Sequence, residues 1–259
     1  VRRSKLLYLP FWATYAFLYL PILVLVVMSF NSGESAYSYE GFSLKWYGQL
    51  LENERVMAGL VNTLIVAAGS TVIATVLGTL LAVGLARYTR SKTLDAFALM
   101  PAVLPDLVIA IGLLLFYGLI QLTLGLYSVI IAHGVFAMAF VAAVVRTRLT
   151  NSDTSLEEAS RDLGAGPVVT FMKITLPQLL PGIVAGALLA FTLSLDEFVI
   201  AFFTIGNVEQ TLPIVIYSMI RFGVTPEINA LAAILLLVSF TAVIAGQRLT
   251  KIGESRAQD

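Results

Sequence analysis

The chain has 259 residues, 58% of them apolar and only 12% charged, with a formal net charge of zero and a mean hydropathy of +0.90. A soluble domain carries about twice that share of charge, so the composition excludes a soluble globular fold and points to an all-α, polytopic membrane protein. Balanced charge offers no bulk basic surface to nucleic acid, and the absence of cysteine excludes disulfides, thiol chemistry and thiolate metal sites.

In chain order, Arg2, Arg3 and Lys5 precede an apolar run from Leu6 to Phe30. That run is longer than a secretory h-region, and no small-x-small cleavage site follows it. It reads as a retained first transmembrane helix over about 7–30. The second span lies within an uncharged stretch, about 58–86. The third, about 95–121, is interrupted by Pro101 and Pro105. The fourth covers about 126–145, the fifth about 177–203 and the sixth about 227–247. Each is near or above the roughly 20 residues that cross the hydrocarbon.

Between the first two spans, residues 31–55 mix Phe42, Leu44, Trp46, Tyr47, Leu50 and Leu51 with polar neighbours. This spacing predicts a short interfacial helix, with Trp46 and Tyr47 at headgroup level. Small residues recur every four positions in the second span (Ser70, Ala74, Gly78, Ala82) and in the fifth (Gly182, Gly186, Ala190). Such stripes let helix backbones approach closely, within the chain or against a second subunit. His133, the only histidine, lies inside the fourth span and suits a hydrogen-bonded packing role rather than a metal site. Residues 204–226 carry Gly206, Pro213, Gly223 and Pro226, and read as a structured turn region.

Six crossings put both termini on one side of the membrane. Thirteen of the sixteen Lys and Arg residues fall on the side that holds the termini, the 87–92 loop and the 147–176 loop; only Lys45, Arg55 and Arg221 fall on the other. The positive-inside rule makes the first side cytoplasmic.

The loop 147–176 is a charged island. Ser155 with Glu158, and Thr154 with Glu157, form capping-box pairs that predict a helix start. Gly164 suits the C-terminal cap, where a positive φ is needed. Pro167 suits the first turn of a second short helix, to which Val168, Val169, Phe171 and Met172 give an apolar surface, and Pro177 opens the fifth span. From the physics alone, an inter-span connector and a docking element fit this loop equally well.

The same residues carry a resemblance. Glu158-Ala159-Ser160, Gly164 and then Ile174, Leu176 and Pro177 are similar, in type and spacing, to the Glu-Ala-Ala…Gly…Ile-x-Leu-Pro signature of ATP-binding-cassette importer permeases. Ser160 stands where the second Ala is usual. The resemblance implies a type I importer permease fold, in which this loop between spans four and five is the coupling helix that docks on an ATPase. The chain has no Gly-Lys dipeptide, so it has no phosphate-cradling loop of its own. Any ATP and Mg²⁺ would be held by the partner, and the chain itself is expected to be no enzyme and to bind no cofactor or metal.

Tyr19-Leu-Pro21, Ser29-Phe-Asn-Ser32, Lys45-Trp46-Tyr47, Phe191 through Glu197 and Pro226 through Ala230 resemble the polyamine (spermidine and putrescine) permeases, nearest their second, C-type, permease. That family implies a bacterial inner-membrane protein working with a second, homologous permease, two ATPase subunits and a periplasmic binding protein. Asp196-Glu197 stands where Asp-Asp is usual, which leaves opines and amino-acid derivatives open as cargo.

Charge within the spans suggests a pathway. A carboxylate facing lipid at a helix centre costs roughly 3 kcal/mol, so Asp106, near mid-depth of the third span, and Asp196 and Glu197, near the outer end of the fifth, are expected to face a cavity. With Trp46 they are the candidate substrate-pathway residues. Their alternatives are helix capping for Asp106 after Pro105, hydrated interfacial positions for Asp196 and Glu197, and membrane anchoring for Trp46. A stand-alone secondary transporter would need internal repeats and midplane ion sites, and neither is visible.

Overall fold

The computed structural model describes residues 8–35, 38–89, 91–150, 152–207, 209–238 and 240–241. Arg2, Arg3, Lys5, Arg90, Arg248, Lys251, Arg256 and the sixth span beyond residue 241 lie outside the described residues. The described elements are helices: α1 (Tyr8–Met28), α2 (Lys45–Glu52), α3 (Glu54–Arg87), α4 (Lys92–Leu99), α5 (Asp106–Leu119), α6 (Leu126–Thr150), α7 (Ser155–Asp162), α8 (Pro167–Thr170), α9 (Leu176–Asp196), α10 (Val199–Thr204), α11 (Leu212–Phe222) and α12 (Pro226–Val238). The chain divides into two compact units, one of residues 1–57 with 216–259 and one of residues 58–215.

In the first unit, α1 exposes most of its apolar surface, as a helix facing lipid does. The loop after it is organised by Asn31, which is fully buried. Its amide nitrogen donates to the carbonyls of Ser35 and Ser38, and its side-chain oxygen accepts from the N–H groups of Gly33 and Glu40. Every hydrogen-bonding group of the side chain is thus used, which is what burying an amide requires. The predicted short helix is present as α2, and Trp46 turns inward from it. The indole is buried and donates to the Asn31 carbonyl at 2.8 Å. It is a strut of the loop, because a buried indole N–H needs an acceptor and the loop backbone supplies one. Tyr47 reaches Ser29 at 2.7 Å rather than projecting outward.

The second unit is built around α6, whose Val129, Ala132, Val141 and Val145 are fully buried. The small-residue stripes face it. A Cβ on Gly78 would meet the Met138 carbonyl at 2.7 Å, and one on Gly182 would meet Arg148 Cβ at 2.9 Å. Both stripes therefore pack within the chain. α6 runs five residues past the expected end of the fourth span. Arg146 stays helical and pairs with Asp95 of α4 at 2.9 Å, and the Thr147 and Thr150 hydroxyls fold back onto carbonyls four residues earlier.

Two expected spans differ in shape. The third is broken: α4 and a 3-10 turn (Met100–Ala102) meet α5 at 99°. Pro105 lacks an N–H and restricts the residue before it, so the helix stops and restarts. The fifth starts earlier, because α8, a π-helical turn (Phe171–Thr175) and α9 form one helix from Pro167 to Asp196. Pro177 cannot donate to the Lys173 carbonyl, and the wider turn ahead of it absorbs that gap. The fifth also ends sooner, at Asp196, with α10 as a separate helix. The 204–226 region contains a regular helix, α11, flanked by Gly206 and Gly223 at positive φ. Among the described residues, four helices are long and apolar enough to cross a membrane, or five with the bent pair as one span.

Candidate functional site

The signature residues fall on α7 and on the helix that follows it. Asp153 starts α7, its Oδ1 accepting the Ser155 N–H at 2.9 Å. The Ser155 hydroxyl and then its amide hold this carboxyl below the ordinary range for an aspartate. The expected capping boxes are therefore replaced: Thr154 makes no side-chain cap bond, and the residue before it does the work. Gly164 behaves as predicted. Its φ is +84°, its N–H donates to the Arg161 carbonyl at 2.9 Å, and the Ala165 N–H donates to the Ser160 carbonyl at 3.1 Å.

Glu158, Ala159, Gly164 and Pro177 are exposed, and Ser160, Ile174 and Leu176 are half-buried. Ser160, the departure from the signature, has a use: its hydroxyl meets that of Thr170 at 3.1 Å and ties α7 to α8. Around these residues Leu163 is 89% exposed and Val168 is 74% exposed, with Leu156 and Met172 also open. An apolar rim of this kind on a short polar helix is a surface built to be covered.

Glu157, which carries no signature role, anchors the segment. It is buried, and the Arg87 guanidinium grips both its oxygens at 2.6 Å. Thr175 adds a third bond to Oε1 at 2.9 Å. In sequence, Glu157 reads as a capping partner and Arg87 as topological charge. Only the seventy-residue separation hid the pair.

The acidic candidates gather at helix breaks. Asp106 is the first residue of α5, just after Pro105, rather than a mid-helix group. There the positive end of the helix favours a carboxylate, in line with the capping alternative. Asp196 closes α9 and is exposed. Glu197 bridges the gap to α10, accepting the Ile200 N–H at 2.6 Å. Asp106, one turn before Ala110, and Glu197, one turn before Ile200, both precede the contact of α5 with α10, and Asp196 adjoins Glu197 in the chain. The chain thus brings three carboxylates together from two broken helices, while Trp46 belongs to the first unit. α5 and α10 are held beside each other by Ala110, Tyr117 and Ile200, all buried.

Two residues before Asp196, Ser194 is buried and joins three helices. It lies 3.0 Å from the Ser70 hydroxyl on α3 and 2.8 Å from His133 Nδ1 on α6. His133 therefore has the hydrogen-bonded packing role expected of it. Ser194 was missed because a serine in an apolar run carries no local signal of its partners.

A family model described as "Binding-protein-dependent transport system inner membrane component" matches residues 74–258. The spermidine/putrescine transport system permease protein PotC of Escherichia coli (strain K12) is 41% identical over 241 residues, covering 92% of this chain and 91% of that protein. The putrescine transport system permease protein PotI of the same strain is 40% identical over 255 residues, covering 95% and 91%. The PotC of Haemophilus influenzae is 37% identical over 242 residues, covering 93% and 94%.

Among solved structures, a bacterial ABC transporter involved in the import of the acidic polysaccharide alginate aligns with a TM-score of 0.72 at 14% identity, over 96% of this chain and 98% of that one. The MetNI methionine ABC transporter in an inward-facing conformation aligns with a TM-score of 0.61 at 23% identity, over 81% and 98%. These two likenesses show a shared fold, and the difference between their cargoes means that the fold does not choose the solute.

Proposed function

The chain belongs to the binding-protein-dependent transport system inner membrane components, and from that premise we propose that it forms half of the translocation pathway of an ATP-driven importer for polyamines or a related cationic amine. The observation that carries the cationic cargo is the placement of Asp106, Asp196 and Glu197 at the ends of α5 and α9 and just before α10, where α5 and α10 pack together. A di- or tricationic amine crossing an apolar bilayer must exchange hydration for fixed negative charge, and grouped carboxylates supply it. The names of the relatives PotC and PotI agree with that chemistry.

In this reading α7 is the coupling helix. Glu158, Ala159, Ser160 and Gly164 present the docking surface, and Ile174, Leu176 and Pro177 join it to the fifth span. The partners are a second, homologous permease, two ATP-binding-cassette subunits that hold ATP and Mg²⁺, and a periplasmic binding protein. The basic bias of the loops supports cytoplasmic termini and a cytoplasmic α7. Trp46 joins the pathway indirectly, by fixing the loop after α1.

The test is uptake by the assembled complex in proteoliposomes. Purified chain alone is expected to transport nothing and hydrolyse nothing. The complex should take up a polyamine with ATP, and Asp106→Asn and Asp196→Asn should each raise the KM for the amine without impairing assembly. Proton-driven uptake by the chain alone would overturn the permease reading. Uptake of a neutral solute that responds to neither substitution would overturn the cationic cargo.

A further inference from the structure

A cavity of about 300 Å³ opens between the end of α3, α7 and the start of the α8–α9 helix. That is the lower end of the range for small-ligand pockets, ~300–1,000 Å³. Its polar wall is made by Arg87, Tyr88, Glu157, Arg161, Thr170 and Thr175. The charges do not cancel. Glu157 spends both oxygens on Arg87 and also accepts from Thr175, so that pair is neutral. The Arg161 guanidinium has no hydrogen-bond or ion-pair partner among the described residues. One guanidinium is left over on the wall.

Other groups point the same way. Pro167 lines the cavity at the start of a 30-residue helix, and Gly166 offers that helix no side-chain cap. The amides of Val168 and Val169 therefore lack intrahelical acceptors at the positive end of the helix. The Thr170 hydroxyl, already paired with Ser160, and the Tyr88 phenol add hydrogen-bonding groups. A cavity with this balance selects an anion, and a planar guanidinium with open donors suits a phosphate.

Location chooses the source. α3 is 34 residues long, enough to cross the hydrocarbon with turns to spare, and Arg87 closes it. Tyr88 follows and is 79% exposed. Arginine and tyrosine at the end of an apolar helix mark the depth of the lipid headgroups. Val83 and Phe171 complete the lining with apolar surface suited to the start of an acyl chain. We propose that this cavity binds the phosphate headgroup of an anionic phospholipid, held by Arg161 and wedged between α3 and α7. The site requires only that α3 reach the membrane boundary, so it stands whatever solute is carried.

The test uses the purified full chain in detergent, with lipid retention read by native mass spectrometry. Wild type is expected to retain phosphatidylglycerol at least about fivefold better than phosphatidylcholine, the factor one basic residue near a membrane surface supplies. Arg161→Gln, on an exposed helix face, should remove most of that preference. Val83→Trp, which fills the cavity from the α3 side, should do the same. Equal retention of the two lipids by wild type overturns the proposal, as does phosphatidylglycerol retention unchanged in both variants. Loss in Val83→Trp alone removes the role of Arg161. Displacement of phosphatidylglycerol by millimolar inorganic phosphate assigns the cavity to a soluble anion and overturns the lipid.

Discussion

Arg87 and Glu157 meet through two parallel N–H···O bonds of 2.6 Å, joining the end of the longest helix to the face of α7 that points inward. The geometry is the bidentate fork that guanidinium and carboxylate favour. It makes α7 part of the helix bundle rather than an appendage. Any displacement of α7 therefore acts on α3 through this pair, and on the helix leading into α9 through the Thr175 bond to the same carboxylate.

The first prediction concerns that pair. Glu157→Gln leaves a guanidinium only a quarter exposed without its counter-charge. The expected cost is about 2–3 kcal/mol, below the full buried-pair value because water reaches Arg87. Arg87→Gln should cost a similar amount, and the double variant less than the sum of the singles. Thermal unfolding in detergent measures all three. In the assembled complex, substrate-stimulated ATP hydrolysis should fall in each single variant even at temperatures where the chain stays folded.

Gly164 separates backbone strain from docking. Its φ of +84° costs most L-residues about 1 kcal/mol or more, yet an added Cβ would meet no atom within 4 Å. Gly164→Asn, which tolerates this conformation, should insert and fold nearly as wild type does. Gly164→Ala should lower stability by about 1 kcal/mol. Gly164→Arg adds bulk to the exposed rim beside Leu163 and should abolish coupling while the chain still inserts. Membrane yield, thermal midpoint and ATPase stimulation together distinguish the three; wild-type uptake by Gly164→Arg would remove the docking role.

The hydroxyl junction gives a ranking. Ser194→Ala strips partners from both Ser70 and His133, whose Nε2 already lacks one. A buried imidazole with neither nitrogen satisfied should cost about 2 kcal/mol. Ser70→Ala leaves the Ser194–His133 bond intact and should cost about half as much, measured by the same unfolding experiment. Equal losses in the two would mean that Ser194 does not join the three helices.

What could be read from sequence divides along physical lines. The helical class, Gly164 at its cap and the small-residue stripes are set by local periodicity, or by the one residue type that fits a conformation. They were legible. The broken third and fifth spans were half legible: Pro105 marks a stop, but nothing local says that α5 leaves at 99°. The helix end at Asp196 is also unmarked, because Glu197 caps α10 from a position that reads like any other charge near a membrane surface. Arg87 with Glu157, and Ser194 with His133 and Ser70, are tertiary facts. Their residue types are ordinary and their separations long, so no spacing rule could pair them. The contact of Trp46 was hidden for a related reason: an amphipathic indole suits a lipid interface and a buried carbonyl equally, and here it donates to Asn31.

Glu197 has two duties that substitutions can separate. Its carboxylate accepts the Ile200 N–H at the start of α10, and it stands next to Asp196 at the break between α9 and α10. Glu197→Gln keeps an acceptor oxygen but removes the charge. Glu197→Ala removes both. If capping and substrate attraction are distinct, Glu197→Ala should lose about 1 kcal/mol of stability, while Glu197→Gln stays near wild type. Both should raise the KM for a polyamine in the assembled complex. Asp196→Asn, at an exposed helix end with no cap to lose, should behave like Glu197→Gln. Should Glu197→Gln be destabilised as much as Glu197→Ala, the charge serves the positive end of α10 rather than the cargo. An unchanged KM in all three variants would take the acidic cluster out of the pathway.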